Sequence, residues 1–427
     1  MSTVLDELEW RGLLAQTTDR EQLATALAAG PVTVYCGFDP TAPSLHHGNL
    51  VQLIVLRHMQ RAGHRVIALV GGATGMIGDP RMSGERVLNS TETVRAWVER
   101  LRTQISRFLD FEGDNPATMV NNLEWTGELT AIDFLRDVGK HYRLGTMLAK
   151  DTVARRLASE DGISFTEFSY QILQGMDFLE LYRRYGCTLQ TGGNDQWGNL
   201  LSGVELVRKA DGGAVHALTT PLITKADGTK FGKTEGGAVW LAPDMMSPYA
   251  FYQFWLNTDD ADVAGYLRVF TFRTAEEIAL LEGAVAQRPA AREAQRVLAE
   301  DVTTLVHGAD ATAKVVAASQ ALFGRGSLTE LDDETLGAAV AELPSAPGTV
   351  GEPLVDLFAA TGLVASKGAA RRAVAEGGLS VNNERVSDEG APLTADQLLG
   401  GRYAVLRRGR RSLAVVHVGT EPARSGA

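Results

Sequence analysis

The sequence has few cysteines and no long apolar run, and both features narrow the class of protein. Its 427 residues include two cysteines, Cys36 and Cys187, far apart in the chain. This usage is typical of reduced thiols in a cytoplasm, and neither cysteine has enough ligand residues nearby for a zinc site. The longest strongly apolar run, residues 66–72, is far too short to span a membrane. The first ten residues contain three acids and no basic segment, so we expect no secretory signal. We therefore expect a cytoplasmic protein that binds neither a metal ion nor a membrane.

Several catalytic patterns are also missing. The eight histidines have no metal-ligand spacing, and no Ser-His-Asp arrangement has a recognisable context. The glycine-rich turn at residues 71–78 does not match G-x-G-x-x-G, which disfavours a dinucleotide fold of the dehydrogenase kind. We found no internal repeat. With 44% apolar and 22% charged residues, the chain is typical of a globular protein, and its length predicts two or three domains.

Acidic residues outnumber basic ones except near the end of the chain. The net charge of −11 argues against a general nucleic-acid coat. From residue 352 onward, however, ten Lys and Arg residues stand against eight Asp and Glu. No acid lies between Asp396 and Glu421, where the chain has Arg402, Arg407, Arg408, Arg410 and Arg411. This clustering favours a contact with RNA, and a solvated surface is the alternative.

The first informative stretch joins a strand to a helix. Residues 32–38 are rich in β-branched and aromatic side chains and lie between two proline-containing turns, so they predict a strand. Apolar residues then recur at helical spacing over residues 48–62, and residues 66–70 predict a second strand. This βαβ unit indicates a parallel sheet. His46 and Gly48 lie where the strand leads into the helix, whose free N–H groups would attract a phosphate.

A second informative stretch is KADGTKFGKT, residues 225–234. Its Lys230 lies 184 residues after His46. Lys230 and Lys233 lie around a small turn, and the hydroxyl of Thr234 follows the second lysine. A loop that presents such point charges is suited to an oligophosphate.

Together the two stretches resemble the paired motifs of class I aminoacyl-tRNA synthetases, His-Ile-Gly-His and Lys-Met-Ser-Lys-Ser. The neighbouring segments YCGFDPT, residues 35–41, and GGNDQWG, residues 192–198, narrow the resemblance to the bacterial tyrosyl-tRNA synthetases. It extends over about residues 5–418. The resemblance implies that L-tyrosine reacts with ATP, supplied with Mg²⁺, to give tyrosyl-adenylate and pyrophosphate. Tyrosyl would then pass to the terminal ribose of tRNA(Tyr). It also implies a homodimer.

The fold class expected from the residues and the resemblance is α/β. A Rossmann-like parallel-sheet catalytic domain is expected over residues 1–240, followed by an α-helical domain over 241–342. The Pro/Gly-rich residues 343–351 predict a linker. A small α+β domain of the S4 RNA-binding type is then expected over residues 352–427. Its predicted hairpin turns at Asn382-Asn383, because asparagine tolerates positive φ better than most residues. Helices are further predicted at residues 90–109, 131–140, 146–158 and 165–185.

The resemblance implies roles for individual residues in the reaction with ATP. The substrate carboxylate is itself the nucleophile, so the protein needs positioning and cations rather than a strong base. The residues expected to act on the phosphates are Thr41, His46, Asn49, Lys230, Lys233, Thr234 and Arg86. The residues expected to hold ATP are Cys36, Gly37, Asp39, His46, Gly48, Asn49, Gly193, Asp195 and Lys233.

A second set of residues is expected to bind tyrosine. Tyr35 would donate a hydrogen bond to the phenol oxygen, and Asp177 would accept one from the phenol hydroxyl. Phenylalanine would leave both groups buried without a partner, a rule of selectivity for which this enzyme family is itself the usual illustration. The residues expected at the ammonium and carboxylate groups are Asp79, Tyr170, Gln174 and Gln196. Singly, Tyr35 could equally be a packed strand residue and Asp177 a solvated acid. The spacing of 170, 174 and 177, however, places three polar residues on one helical face.

Two positions depart from the family pattern. Asn49 stands where the motif usually ends in histidine, and we expect its amide to donate to a ring or hydroxyl oxygen. The loop after Asp79 reads Arg81-Met82-Ser83 where the family commonly has a lysine, and it is one residue shorter. In the last domain, the residues expected to bind tRNA are Lys367, Arg371, Arg372, Arg407, Arg408, Arg410 and Arg411.

Two alternatives remain at this point. A tryptophanyl-tRNA synthetase would share the fold but should lack both the Tyr35/Asp177 pair and the S4-like end of the chain. A non-catalytic RNA-binding protein could keep the fold without the activity. The presence of His46, Lys230 and Lys233 argues against the second alternative.

Overall fold

The computed structural model describes residues 3–80, 88–160, 162–234, 237–409 and 412–419. The chain forms two compact units. The first consists of Met1–Met245 and Asp259–Ala294, and the second of Met246–Thr258 and Gln295–Ala427. Each unit contains its own sheet and its own buried apolar cluster.

Strands and helices are numbered in chain order. The strands are β1 Gln16–Thr17, β2 Thr33–Phe38, β3 Arg65–Val70, β4 Thr118–Asn121, β5 Cys187–Gly193, β6 His216–Thr220, β7 Lys233–Thr234, β8 Gly237–Ala238, β9 Ser345–Gly348, β10 Leu379–Val381, β11 Glu384–Arg385, β12 Tyr403–Arg408 and β13 Ser412–Val418. The helices are α1 Val4–Trp10, α2 Arg20–Ala29, α3 His47–Arg61, α4 Thr74–Ile77, α5 Thr91–Ile105, α6 Leu123–Thr126, α7 Ala131–Asp133, α8 Leu144–Leu148, α9 Asp151–Leu157, α10 Phe165–Tyr185, α11 Trp197–Asp211, α12 Pro248–Leu256, α13 Asp260–Phe270, α14 Ala275–Gln287, α15 Glu293–His307, α16 Ala309–Leu322, α17 Asp333–Ala341, α18 Leu354–Ala360 and α19 Lys367–Ala375. None of the helices in the described ranges combines the length and the apolar character needed to cross a membrane.

The first unit is built on a six-stranded sheet with the order β1-β6-β5-β2-β3-β4. All neighbours are parallel except β1, which runs antiparallel to β6. From β2 the chain adds β3 and β4 on one side and places β5 and β6 on the other. The carboxyl ends of β2 and β5 therefore form a topological switch point, the place where open α/β sheets bind ligands. The predicted parallel-sheet fold is thus observed.

β2 forms because its residues suit a strand that is buried on both faces. Its apolar side chains from Val34 to Phe38 are at most 2% exposed. In the sheet, Tyr35 lies opposite Ile67 of β3 and Gln190 of β5. Central parallel strands are covered on both sides, which is why they consist of nearly continuous apolar residues.

The longest helix, α10, has the bounds that were predicted. The hydroxyl of Ser164 accepts a hydrogen bond from the backbone N–H of Glu167 at 3.3 Å and so caps its start. Gly186 ends the helix with a φ of 61°, the left-handed conformation that glycine adopts without strain. Because the helix is unbroken, residues 170, 174 and 177 do share one face.

Two other predicted helices are interrupted. Over residues 131–140, α7 continues as a π-helical turn, Phe134–Val138, and then a 3₁₀ turn, Gly139–His141. Gly139 favours a helix less than alanine does by about 1 kcal/mol, which weakens this end. Over residues 146–158, α8 and α9 are separated at Lys150, whose backbone is extended. The Lys150 ammonium lies 3.4 Å from the side-chain oxygen of Asn199, so tertiary packing overrides local preference here.

The second unit contains a helical part and a five-stranded sheet. α12 packs against α16 and α17, with Phe251 and Trp255 fully buried. The sheet order is β11-β10-β12-β13-β9, and only β9 and β13 pair in parallel. Its buried apolar cluster joins α18 and α19 to these strands.

Residues 343–351 were predicted to be a linker. In the structure they contain the strand β9. The backbone N–H of Val415 donates to the carbonyl of Pro344 at 2.9 Å, and Ala346 is buried. The predicted boundary at residue 342 separates parts that the structure places in one unit. Asn383, for example, donates a 2.7 Å hydrogen bond to the carbonyl of Ala321. Residues 259–294, which were assigned to the helical domain, lie in the first unit.

The predicted hairpin is formed by β10 and β11. Its two turn residues, Asn382 and Asn383, have φ values of 48° and 71°. Two consecutive positive φ values are those of the turn type that matches the twist of paired strands. The prediction from the Asn-Asn pair is therefore confirmed.

Candidate active site

The junction of β2 and α3 is stabilised by hydrogen bonds within the predicted phosphate motif. The ring Nδ1 of His46 accepts from the backbone N–H of Gly48 at 3.0 Å. The side-chain oxygen of Asn49 accepts from the backbone N–H of His46 at 3.1 Å. The two residues therefore form a reciprocal cap at the N-terminus of α3. Asn49 uses its oxygen in this contact, so the donor role expected of it rests with its NH₂ group.

The lysine loop, residues 225–234, lies against the motif at the start of α3. The backbone N–H of His47 donates to the carbonyl of Val239 at 2.9 Å. The rings of His47 and Phe231 are 5.3 Å apart and nearly perpendicular. Gly232 has a φ of 77° and lies so close to the His47 ring that a side chain would overlap it. Two motifs far apart in the sequence thus meet at the start of α3.

Burial disfavours the charged form of both histidines of the motif, because it lowers their pKa values. It lowers the pKa of His46, which also accepts a backbone hydrogen bond, and it lowers the pKa of His47 to about 4. Neutral imidazoles can accept or donate single hydrogen bonds, but they add no positive charge near a phosphate. Cationic help must therefore come from other residues.

The lysine loop itself is a tight, exposed turn. Asp227 accepts hydrogen bonds from the backbone N–H and the hydroxyl of Thr229, at 2.8 and 2.6 Å. Gly228 has a φ of 80°, and Lys230 and Thr41 are exposed. Three further predicted residues cannot be placed, because Arg86 and the side chains of Lys233 and Thr234 lie outside the described residues.

The edge of the sheet at the expected nucleotide site is partly open. Gly37 is exposed on β2, whereas Cys36 is 2% exposed. Burial raises the pKa of the Cys36 thiol to about 12, and its sulfur lies 3.9 Å from the side-chain oxygen of Gln52. This differs from the expected ribose contact of Cys36. Gly193 ends β5, and Asp195 follows it in a single 3₁₀ turn, Asn194–Gln196.

Asp39 holds the hydroxyl of Tyr170. The Tyr170 hydroxyl donates to one oxygen of Asp39 at 2.7 Å, and Thr74 donates to the other oxygen at 2.7 Å. Because its proton is directed to Asp39, the Tyr170 oxygen can act as an acceptor on its remaining side. An acceptor is what the ammonium group of an amino acid requires.

Asp79 is held by two amide side chains. Gln196 donates to one of its oxygens at 2.9 Å, and Asn199 donates to the other at 3.2 Å. Asn199 also donates to Gln196 at 2.9 Å. The structure therefore brings Asp79 and Gln196 together, as both were expected to lie near the amino-acid backbone.

At the other end of the site, Asp177 is buried with neutral donors. Asn122 donates to one of its oxygens at 3.0 Å, and Trp125 donates to the other at 2.9 Å. Burial raises the pKa of Asp177 to about 7, and these two hydrogen bonds oppose the rise. Each carboxylate oxygen keeps a second lone pair for a further donor.

Tyr35 lies beside this carboxylate and is 1% exposed. Its hydroxyl has no hydrogen-bond partner among the described residues. The same holds, within those residues, for the side-chain oxygen of Gln174. Buried polar groups are nearly always paired in folded proteins. The Tyr35 hydroxyl and the Gln174 oxygen are therefore candidates for hydrogen bonds with a bound substrate.

Several residues of the site were not predicted. Asn122, Trp125 and Thr74 hold the predicted acids, and Gln52 connects α3 with Thr191 through a 3.2 Å hydrogen bond. Asn122 and Trp125 follow the carboxyl end of β4, and that position in a parallel sheet was the signal available. Where the structure is described, no group of three His, Cys, Asp or Glu side chains is arranged to hold a metal ion.

The cations expected to bind tRNA lie in the second unit. Arg371 and Arg372 are exposed on α19, and Lys367 pairs with Asp356 at 2.8 Å. Arg408 is exposed and donates to the carbonyl of Leu363 at 3.0 Å. Arg407 is only partly exposed and packs against Gly324. Arg410 and Arg411 lie outside the described residues.

The sequence matches two protein families. Residues 27–324 match the class I tRNA synthetases for tryptophan and tyrosine, and residues 336–416 match the C-terminal domain of SYY-like tyrosine–tRNA ligases. A tyrosine–tRNA ligase of Streptomyces avermitilis is 64% identical over 419 residues, which cover 98% of this chain and 99% of that one. One of Mycobacterium tuberculosis is 61% identical over 418 residues, covering 97% and 98%. The chain belongs to the tyrosine–tRNA ligases.

Solved structures of the family agree with this assignment. A C-terminally truncated mitochondrial tyrosyl-tRNA synthetase of Aspergillus nidulans superimposes with a TM-score of 0.70 at 31% identity, covering 76% of this chain and 95% of that one. A tryptophanyl-tRNA synthetase of Encephalitozoon cuniculi, at 14% identity and a TM-score of 0.52, shares the fold. The C-terminal match and the two relatives at 64% and 61% identity decide between the two kinds of ligase, because all three are described as tyrosine–tRNA ligases.

The buried charge of Asp177 predicts a pH dependence of stability. Its pKa is about 7 in the folded ligase against an ordinary value of 3.8, so the folded state binds more protons between these pH values. Stability contributed by this group therefore falls as pH rises from about 4 to about 7. Relative to the wild type, Asp177→Asn should gain about 2–4 kcal/mol of unfolding free energy across this range.

The measurement is urea unfolding of both proteins at several pH values. Asp114→Asn, which changes an exposed acid, is the matched control and should show a constant difference. A constant difference for Asp177→Asn as well would contradict the buried charge.

Proposed function

We propose that this ligase joins L-tyrosine to ATP, giving tyrosyl-adenylate and pyrophosphate, and then transfers tyrosyl to the terminal ribose of tRNA(Tyr). The observation that supports it most is the buried, unpaired hydroxyl of Tyr35 beside the carboxylate of Asp177. A phenol placed between them would accept from Tyr35 and donate to Asp177. Phenylalanine and tryptophan have no acceptor for the Tyr35 hydroxyl, which would stay unpaired at a cost of about 1–3 kcal/mol. Asp177 would keep its hydrogen bonds from Asn122 and Trp125.

The other end of the amino acid meets acceptors. Asp79, the Tyr170 oxygen and the unpaired oxygen of Gln174 are proposed to bind the ammonium group. Gln196, which already contacts Asp79, is proposed to orient the carboxylate. A substrate bound at both ends has a fixed orientation, so its carboxylate is held ready to attack ATP. Binding energy is used in this way for positioning, because the reaction needs no nucleophile from the protein.

ATP is proposed to lie at the start of α3. The helix N-terminus and Gly48 allow a phosphate to approach the backbone, and His46, Asn49 and Thr41 supply side-chain contacts. The ribose and base side is proposed to involve the sheet edge, at Cys36, Gly37, Asp39, Gly193 and Asp195. Cys36 takes part only if its thiol turns away from Gln52.

The first chemical step is a displacement at phosphorus. A tyrosine carboxylate oxygen bonds to the α-phosphorus, the bond to the β-phosphate oxygen breaks, and pyrophosphate leaves with its charge. Lys230, Lys233, Thr234 and Arg86 are proposed to stabilise that charge, together with Mg²⁺ carried by the nucleotide. In the second step a ribose hydroxyl of tRNA attacks the tyrosyl carbonyl, the bond from that carbonyl carbon to the phosphate oxygen breaks, and AMP leaves while the hydroxyl proton is released.

The second unit is proposed to hold the tRNA. An S4-like domain over residues 352–427 would contact RNA phosphates through Lys367, Arg371, Arg372, Arg407, Arg408, Arg410 and Arg411. The exposure of Arg371, Arg372 and Arg408 supports this role. We further propose that the ligase acts in the cytoplasm, as expected from its two unpaired cysteines.

The ligase is also proposed to be a homodimer. Six large apolar side chains of the first unit, within residues 132–165, are between 40% and 72% exposed. They are Ile132, Leu135, Leu144, Leu148, Leu157 and Phe165. So many exposed apolar side chains within one short stretch are typical of a surface that another protein covers.

Amino-acid selection gives the first test. Tyr35→Phe removes one phenol partner and leaves the pocket shape unchanged. Preference for tyrosine over phenylalanine in pyrophosphate exchange should fall by about 1 kcal/mol, roughly fivefold. The variant should be at least as stable as the wild type, because an unpaired buried hydroxyl is removed. An unchanged preference would refute the proposed pocket, and exchange driven by tryptophan would refute the proposed substrate.

The proposed dimer gives a second test. Phe165→Asp should shift the ligase to monomers in sedimentation, because a charge replaces a side chain that is 72% exposed at the proposed interface. The helix itself should tolerate the change, since an acid in the first turn is favourable. Leu280→Asp is the control, because Leu280 is 76% exposed on α14, away from the cluster in sequence. Equal behaviour of the two variants would contradict the interface.

The proposed RNA surface gives a third test. Arg371→Glu should weaken tRNA binding, and the slope of log affinity against log salt should fall by about one, as for a lost phosphate contact. Arg107→Glu, an exposed arginine of the first unit, is the control for charge alone. Both variants should keep full pyrophosphate exchange. A tRNA affinity of Arg371→Glu equal to that of the control would argue against this surface.

A further inference from the structure

The lysine loop is attached to α13, a helix that contributes no residue to the proposed tyrosine and ATP sites. Like the loop, α13 lies in the first unit, and three of its side chains contact residues 224–231. They are Asp262, Tyr266 and Phe270, and each is at most 8% exposed. Their spacing of four residues places them along one face of the helix. This face of α13 is therefore packed against the loop.

The loop and the two residues before it form a short antiparallel hairpin. Thr224 and Lys230 lie opposite each other as an isolated β-bridge. The backbone N–H of Phe231 donates to the carbonyl of Ile223 at 3.3 Å. Because the two arms of the hairpin are joined by hydrogen bonds, a contact that fixes the first arm also fixes Lys230 on the second.

A buried carboxylate holds the first arm. Asp262 accepts a hydrogen bond from the backbone N–H of Ala226 at 2.6 Å. Such a bond to a carboxylate is about twice as strong as one between neutral groups. Asp262 lies in the first turn of α13, where an acid also stabilises the helix itself. Its carboxylate, however, bonds to a residue 36 positions away in the sequence, which a helix-stabilising acid does not require.

Tyr266 provides a second attachment, directly opposite Lys230. Its hydroxyl donates to the carbonyl of Thr224 at 3.3 Å. Its ring lies 4.6 Å from that of Phe231, which is 5.7 Å from the ring of Phe270. Aromatic pairs at such separations add to the stabilisation from burial. Lys230 itself is exposed, but the residues opposite and after it are anchored.

The same aromatic cluster connects the loop with the first motif. Phe231 also packs against the ring of His47 at the start of α3, with the ring centres 5.3 Å apart. Rings from α3, the loop and α13 are thus in one group of contacts. The place of Lys230 relative to the start of α3 depends on this group and on Asp262. A cation that is fixed before the reaction needs no reorganisation as charge develops.

We propose that Asp262 and Tyr266 are positioning residues, which hold Lys230 where the charge of the departing pyrophosphate develops. The inference rests on the proposed function, because that function assigns this charge to Lys230. Both residues act through the loop backbone, on the N–H of residue 226 and the carbonyl of residue 224. Their loss should therefore slow adenylate formation and leave tyrosine binding unchanged, since the proposed tyrosine site includes neither of them.

The test is the rate of tyrosyl-adenylate formation in a single turnover at saturating tyrosine and ATP. Asp262→Ala removes the acceptor, and the rate should fall roughly tenfold, which corresponds to about 1.4 kcal/mol. Asp262→Asn keeps an oxygen acceptor and should restore the rate to within roughly threefold of the wild type. The KM for tyrosine should not change in either variant. Asp260→Ala, an exposed acid in the same first turn of α13, is the matched control and should behave as the wild type.

Two results with these variants would overturn the proposal. One is an equal rate for Asp262→Ala and Asp260→Ala. The other is an equal loss in Asp262→Ala and Asp262→Asn, because the acid would then act by its charge on the helix. Tyr266→Phe tests the same attachment while keeping the buried ring. Its rate should fall roughly two- to threefold, as for one neutral hydrogen bond, and an unchanged rate would refute the role of Tyr266.

A double-variant cycle tests whether Asp262 acts through Lys230. Lys230→Ala alone should slow adenylate formation by roughly 100-fold. In that background Asp262→Ala should cost less than a further twofold, because the cation that it positions is already gone. A further tenfold loss would show that Asp262 acts independently of Lys230 and would overturn the proposal. A wild-type rate for Lys230→Ala would instead contradict the proposed role of the loop, and that failure is distinct because Asp262 is intact in this variant.

Discussion

The burial of one carboxylate, that of Asp177, is the constraint on which the amino-acid site depends. A buried carboxylate is unfavourable unless donors surround it, and here Asn122 and Trp125 each supply one hydrogen bond. These donors come from the segment after β4, whereas the acid comes from α10 and the neighbouring Tyr35 from β2. The pocket therefore exists only when two strands and one helix are assembled. Its position, rather than any single residue, gives the acid its raised pKa of about 7.

At the proposed nucleotide site, backbone N–H groups at the start of α3, rather than charged histidines, are placed to contact a phosphate. The first motif caps α3 through His46 and Asn49, and the lysine loop is attached to it through His47 and Phe231. Burial lowers the pKa of both histidines, which disfavours their charged forms and leaves the phosphate charge to the lysines. The helix N-terminus supplies N–H donors that are fixed before the substrate arrives, and fixed donors need no reorganisation during the reaction.

Much of this arrangement could be predicted from the sequence. The β-branched residues of β2, the apolar spacing of α3 and the capped helix α10 are local patterns, and the structure has them within one or two residues. The Asn382-Asn383 turn is equally local. Asn122 and Trp125 could not be assigned, because their roles depend on contacts between distant segments. The break at Lys150 and the strand β9 have the same cause, since tertiary pairing overrides a helical or linker composition. The sequence-based assignment of most site residues stays a prediction.

We infer that the phenol of tyrosine accepts a hydrogen bond from the Tyr35 hydroxyl and donates one to a spare lone pair of the Asp177 carboxylate. A crystal structure of the ligase with L-tyrosine tests this most directly. We expect the phenol oxygen within about 3.2 Å of both the Tyr35 hydroxyl and one Asp177 oxygen, the limit of a hydrogen bond. Asn122 and Trp125 should keep their contacts with Asp177. A phenol that points elsewhere, with Tyr35 and Asp177 bonded to each other or to water, would contradict the account.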